Sequence, residues 1–126
     1  MAIPSGTGTE VLRNGLWQTQ STDVTSFAFD AGNPTLGDET DTVPTNHIIT
    51  MINITWAETG NAAEQFDLYG TFDSKAIVLL RYQELPAYGT FVWNTKFVMI
   101  GGDFLKTWCS AGDVDVHYSY LDQDWS

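Results

Sequence analysis

Cysteine is almost absent from this chain: Cys109 is the only one among 126 residues. One thiol closes no internal disulfide, so the fold relies on its own apolar core, and nothing demands an oxidising compartment. Cys109, in "TWCSAG" with Lys106 as the only cation close in sequence, reads as a small buried apolar residue and not as a reactive thiol. Basic residues are nearly as scarce. Five Lys and Arg stand against sixteen Asp and Glu, a formal charge of −11. Such a chain repels nucleic-acid backbones and anionic membrane surfaces, which excludes both as partners. No apolar run reaches the roughly eighteen residues of a membrane helix. "MAIPSGTGTE" has no basic residue and no long apolar stretch, so no signal peptide is expected in it. Asn53-Ile54-Thr55 matches a glycosylation sequon but lies inside an expected strand, and is set aside.

Catalytic signatures are lacking as well. There is no G-x-S-x-G and no glycine-rich phosphate loop ahead of a helix. Nucleophilic catalysis needs a serine or cysteine beside a histidine and an acid, and the two histidines, His47 and His117, fall in expected strands. Asp113, Asp115 and His117 share one face of one strand, about 6–7 Å apart along it. A metal site there needs a further ligand from a neighbouring strand, and a solvated strand face is the preferred reading. Asp38, Glu39 and Asp41 lack the regular spacing of a calcium loop and read as a solvated turn. No enzyme activity, cofactor or metal is expected.

What is present is apolar and aromatic. Hydrophobic residues make up 43% of the chain and aromatic ones 13%, and a domain of this size buries about two-thirds of its unfolded surface. Helical periodicity is weak everywhere, and strand signals recur about every ten residues. The expected fold is all-β: a single antiparallel β-sandwich of jelly-roll type with about eight or nine strands over residues 10–126, preceded by an extended arm over 1–9. Strands are expected over Glu10–Trp17, Thr22–Phe29, His47–Trp56, Glu64–Phe72, Ala76–Tyr82, Thr90–Trp93, Lys96–Ile100, Phe104–Cys109 and Val114–Leu121. Residues 30–46 are polar and turn-rich, and read as a surface loop. In the third strand, period two puts Ile48, Ile52, Ile54 and Trp56 on one face. "AIVLLRY" (76–82) reads as a strand covered on both faces. In the last strand Val114, Val116, Tyr118 and Tyr120 share one face.

Five tryptophans are many for this length. Trp56 and Trp93 read as core. Trp125, in "DQDWS", reads as a docking residue against a neighbouring element or another subunit.

The order of the motifs carries a resemblance. "IPSGTGTEVLRNG", "HIITMINITWAE", "ELPAYGTFVWNTKFVMIGGD" and "SAGDVDVHYSYLDQDWS" together resemble small virion proteins of tailed bacteriophages. These are β-sandwich modules used as head decoration (cement) proteins or as tail and fibre components. The acidic loop and the tryptophans are not features of the group, and they leave the virion location open. The resemblance implies no catalytic residues. It implies assembly in the host cytoplasm into a virion, often as a homotrimer, with an N-terminal arm reaching the major capsid protein or a sister subunit. On that plan Ile3 and Pro4 anchor the arm, and Trp17, Tyr118, Tyr120 and Trp125 are further interface candidates. The alternative is a tail- or fibre-associated receptor or carbohydrate-binding module, with Trp17, Tyr88, Trp108 or Trp125 as stacking aromatics.

Overall fold

The computed structural model describes residues 8–18, 24–30, 39–40 and 42–125. They form no helix. Nine strands build two antiparallel sheets. Sheet A contains β1 (Thr9–Gln18), β11 (Val114–Asp124) and β5 (His47–Glu58), with β8 (Thr90–Trp93) and β9 (Phe97–Ile100) both pairing along the far side of β5. Sheet B runs β2 (Thr25–Ser26), β10 (Phe104–Cys109), β6 (Glu64–Phe72), β7 (Lys75–Leu85). A short ladder of β3 (Phe29–Asp30) and β4 (Glu39–Thr40) lies within the connection from β2 to β5.

The pairings are nested. β1 pairs β11, β2 pairs β10, β5 pairs β8 and β9, and β6 pairs β7, all antiparallel. A ribbon of antiparallel pairs wrapped into two facing layers, here of five and four strands, is a jelly roll, as the strand rhythm predicts. The innermost pair turns at Asp73-Ser74, both in the left-handed region (φ 51 and 64). Two such residues give a hairpin turn whose twist matches that of its strands. The turn is braced by the Asp73 N–H donating to Asp103 Oδ1 at 3.1 Å.

The core fills the space between the layers. Trp56 of β5 stacks on Phe66 of β6, centroids 4.4 Å apart, and Phe91 of β8 packs edge-on against both rings. The Trp56 indole N–H donates to Thr107 Oγ1 at 3.2 Å, and the Thr107 hydroxyl donates to the Asp67 carbonyl at 2.6 Å, so both buried polar groups are satisfied. Cys109 is buried, as its sequence context predicts, and desolvation, with Glu64 and Asp67 nearby, pushes its thiol up to about 12.

Four expectations change. Of the strand expected over Thr22–Phe29, residues 22–23 lie outside the described residues, and the rest is divided between β2 and β3, because the chain leaves sheet B there. Phe27 still donates its N–H to the Leu105 carbonyl, and then Phe27 and Phe29 insert fully into the core beside Tyr118 and Tyr120. Within the expected loop 30–46, Glu39–Thr40 pairs with Phe29–Asp30. The inward face of β5 is not Ile48, Ile52, Ile54, Trp56. Ser119 pairs with Asn53 and Tyr120 with Met51, so Ile52 is an extra residue at a bulge. A bulge shifts the alternation by one. Ile49 and Met51 point inward before it, and Ile54 and Trp56 after it. Finally, "AIVLLRY" is not covered on both faces. It lies in β7, the edge of sheet B, where Val78 and Tyr82 are about half exposed.

Candidate interaction surfaces

The residues proposed from sequence scatter. Ile3 and Pro4 lie outside the described residues. Trp17 sits in β1 opposite Val116. Tyr118 and Tyr120 are not interface residues of the surface: they are 3% and 2% exposed. Their strand lies inside sheet A, so the face they share is the core face. The Tyr118 hydroxyl donates to the Ala28 carbonyl at 2.6 Å and accepts from the Ala28 N–H at 3.1 Å, tying sheet A to the 24–30 segment. Its ring lies directly over Gly15, where an added Cβ would stand 2.2 Å from the ring. Trp125 docks within its own chain, against Gly8, and its backbone N–H donates to the Asn46 carbonyl at 2.9 Å.

The sugar-binding candidates are equally dispersed. Tyr88 is anchored by its N–H to Glu58 at one end of β5, and Trp125 to Asn46 at the other. A twelve-residue strand spans roughly 36 Å, so these two rings cannot stack on one small ligand.

The titratable clusters are structural braces. Glu58, Glu64 and Asp113 bring carboxylate oxygens within 4.8 Å of one another. The Glu58 oxygens already accept the Gly60 N–H at 2.6 Å and the Tyr88 N–H at 2.7 Å. Burial pushes this carboxyl up, but the N–H groups of Tyr88, Gly60, Ala62 and Asn61 outweigh it and hold it below the usual glutamate value. Glu58 thus clamps two loops. At the opposite end of β5, buried Asp122 meets His47 Nδ1 at 2.7 Å and accepts from Arg13 Nε at 3.2 Å, so both oxygens are engaged. No nucleophile accompanies that histidine among the described residues. Asp115 and His117 lie on the outward face of β11, with Asp113 just before the strand.

Two outward surfaces remain. On sheet A the register aligns Leu16, His117, Thr55 and Val92 in one row across four strands, and Leu12, Leu121, Thr50 and Val98 in a second. Leu12 and Leu16 are 69% and 70% exposed. Neither row contains a carboxylate, ammonium or guanidinium, although the chain carries −11. A hollow of about 490 Å³ opens beside Leu16, Thr55, Ala57 and His117, with Asp115 at its side. The two rows flank a polar row of Asn14, Ser119 and Asn53, and exposed leucines and valines grouped on one sheet face mark a candidate contact surface. Sequence patterning missed it because Leu12 and Leu16 lie on an edge strand whose outward and inward positions are set only by its register with β11.

On sheet B the outward positions of β10, β6 and β7 form a cleft of about 330 Å³ lined by Val24, Asp67, Tyr69, Val78, Arg81, Tyr82 and Trp108. Of the sequence candidates, only Trp108 belongs to it.

No family model matches the chain, and no curated protein sequence matches it. Among solved structures, it is similar to a protein of the disulfide-linked pili of Bacillus endospore appendages, at 12% identity over 99% of this chain and 96% of that one, with a TM-score of 0.41. It is also similar to a chain of infectious bursal disease virus, Gx strain, at 11% identity and a TM-score of 0.41, over 92% of this chain and 32% of that one. The fold assignment rests on the strand pairing and not on these likenesses.

Proposed function

We propose that the chain is a structural protein of a bacteriophage virion, a decoration or cement protein that binds the outside of the head and stabilises it. The observation that carries this is the outward face of sheet A. Two rows without a carboxylate, ammonium or guanidinium, ending in exposed Leu12, Leu16, Val92 and Val98, cross a sheet in an otherwise acidic molecule. Apolar area of that kind is stabilising only when another surface covers it. The jelly roll supports the role by analogy, since such double-sheet units recur in shells. The acidic remainder keeps the unassembled protein soluble and discourages wrong contacts. On this plan the partners are sister copies, as a homotrimer, and the major capsid protein, where repeated weak contacts add through symmetry.

The test uses virions stripped of this protein. They are expected to lose resistance to heat and osmotic shock while still adsorbing to cells. Purified protein is expected to rebind stripped heads and restore resistance, and the double variant Leu12→Glu, Leu16→Glu to fail. Loss of adsorption with sound heads would overturn the head assignment in favour of a tail- or fibre-associated module. Light scattering of the isolated protein tests the trimer separately: a mass near 14.0 kDa counts against it.

A further inference from the structure

From the cleft on the outer face of sheet B, we infer a saccharide-binding site, built around Trp108, Tyr69 and Tyr82 with Asp67 and Arg81 as its polar groups. It lies on the opposite layer from the proposed shell-binding face and does not rest on that proposal. A head protein and a tail protein could each carry it.

The first argument is the register. Trp108 pairs with Asp67, and Lys106 with Tyr69, which in turn pairs with Val78. The inward partners on β10 are Leu105, Thr107 and Cys109, all buried. Trp108, Asp67, Tyr69 and Val78 therefore stand on one outward surface of three adjacent strands. Large aromatic rings on the solvent face of a sheet contribute nothing to the core, so the fold alone does not account for them.

The second argument is how Tyr82 is held. It has φ 48, a conformation costly for a bulky aromatic residue. The Tyr82 N–H donates to Asp67 Oδ1 at 2.7 Å, which pins the kink. Arg81 lies over the Tyr82 ring at 5.1 Å from its centroid. The bent edge strand thus turns Tyr82 and Arg81 into the cleft beside Trp108. Tyr82 stays 55% exposed.

The third argument is chemical fit. A sugar ring has an apolar C–H face and an equator of hydroxyls that both donate and accept. Aromatic faces suit the first. Asp67, an acceptor, and Arg81, a fork of donors, suit the second. Among the described residues no hydrogen bond engages the Tyr69 or Tyr82 hydroxyl or the Trp108 indole N–H. A phosphorylated ligand is disfavoured by the net charge of −11. A proline-rich peptide also seeks aromatic grooves, but proline has no backbone N–H to give the Asp67 acceptor, whereas sugar hydroxyls both donate and accept. The cleft is open and shallow, which favours a few units of a long neutral glycan over a small enclosed ligand.

The experiment is affinity electrophoresis of the full chain through gels containing a panel of neutral polysaccharides: dextran, xylan, β-glucan, galactomannan and starch. Retardation is expected in at least one gel. Tyr82→Ala, at a half-exposed position, is expected to weaken it by about tenfold, as for loss of one stacking ring. Trp108→Ala is expected to do the same, with the melting temperature measured to confirm folding. Leu16→Glu on sheet A is expected to leave it unchanged. No retardation in any gel would overturn the site. So would retardation unaffected by Tyr82→Ala, or saturable binding of a polyproline peptide in place of glycan.

Discussion

β5 and β7 are both long and both rich in aliphatic residues, yet one runs through the centre of sheet A and the other forms the edge of sheet B. On β5, every second residue is buried along the strand, apart from the single step at Ile52. On β7 only Leu85 is fully buried, with Leu79 and Leu80 packed against the core. Apolar content therefore does not tell a central strand from an edge strand. What distinguishes them is the number of paired neighbours, a property of the whole sheet. The charges on β7 (Lys75, Arg81 and Glu84) and its kink at Tyr82 are the devices that keep an edge from pairing indiscriminately.

The largest expected break comes from β5. Trp56→Ala removes the ring stacked on Phe66 and strands the Thr107 hydroxyl without its indole donor. A loss of about 3–5 kcal/mol is expected by urea denaturation. A loss under about 1 kcal/mol would mean that β5 is not the centre of the core. A smaller effect is expected at the end of the same strand. The folded carboxyl of Glu58 sits below the unfolded value, so its contribution is present at neutral pH and fades as pH falls through the folded value. Glu58→Gln should lower the melting temperature at pH 7, and the gap from the parent chain should narrow on acidification below the usual glutamate range. A gap that widened in acid would reverse the sign of the argument. The smallest effect is expected on β7: Val78→Ser should change stability by no more than about 0.5 kcal/mol. A cost well above 1 kcal/mol would show that Val78 is covered.

The last strand shows how much of the site was legible. Val114, Val116, Tyr118 and Tyr120 share a face, as period two predicts, and that face is buried. Assigning the two tyrosines to an interface failed because alternation says which residues share a face but not which way the face points. In β6, Phe66 and Leu68 lie inward as alternation predicts: the ladder with β7 shifts register there, but the extra residues are on β7, and the ladder with β10 is unbroken. The sheet B cleft was legible only at Trp108. Tyr69, Arg81 and Tyr82 come to it from two other strands, and local patterning has no access to cross-strand neighbours.

By itself the residue order determined the class: short β-rich runs set apart by turn residues, enough apolar mass for one core, and an acidic surface with no disulfide. Those are properties of segments and of the total, so they survive without knowledge of contacts. Only the tertiary structure decided the bulge at Ile52, the edge position of β7, the burial of Tyr118 and Tyr120, and the two outward faces. Each of these depends on which strands lie side by side and in what register, and hydrogen bonds between residues far apart in the chain set both.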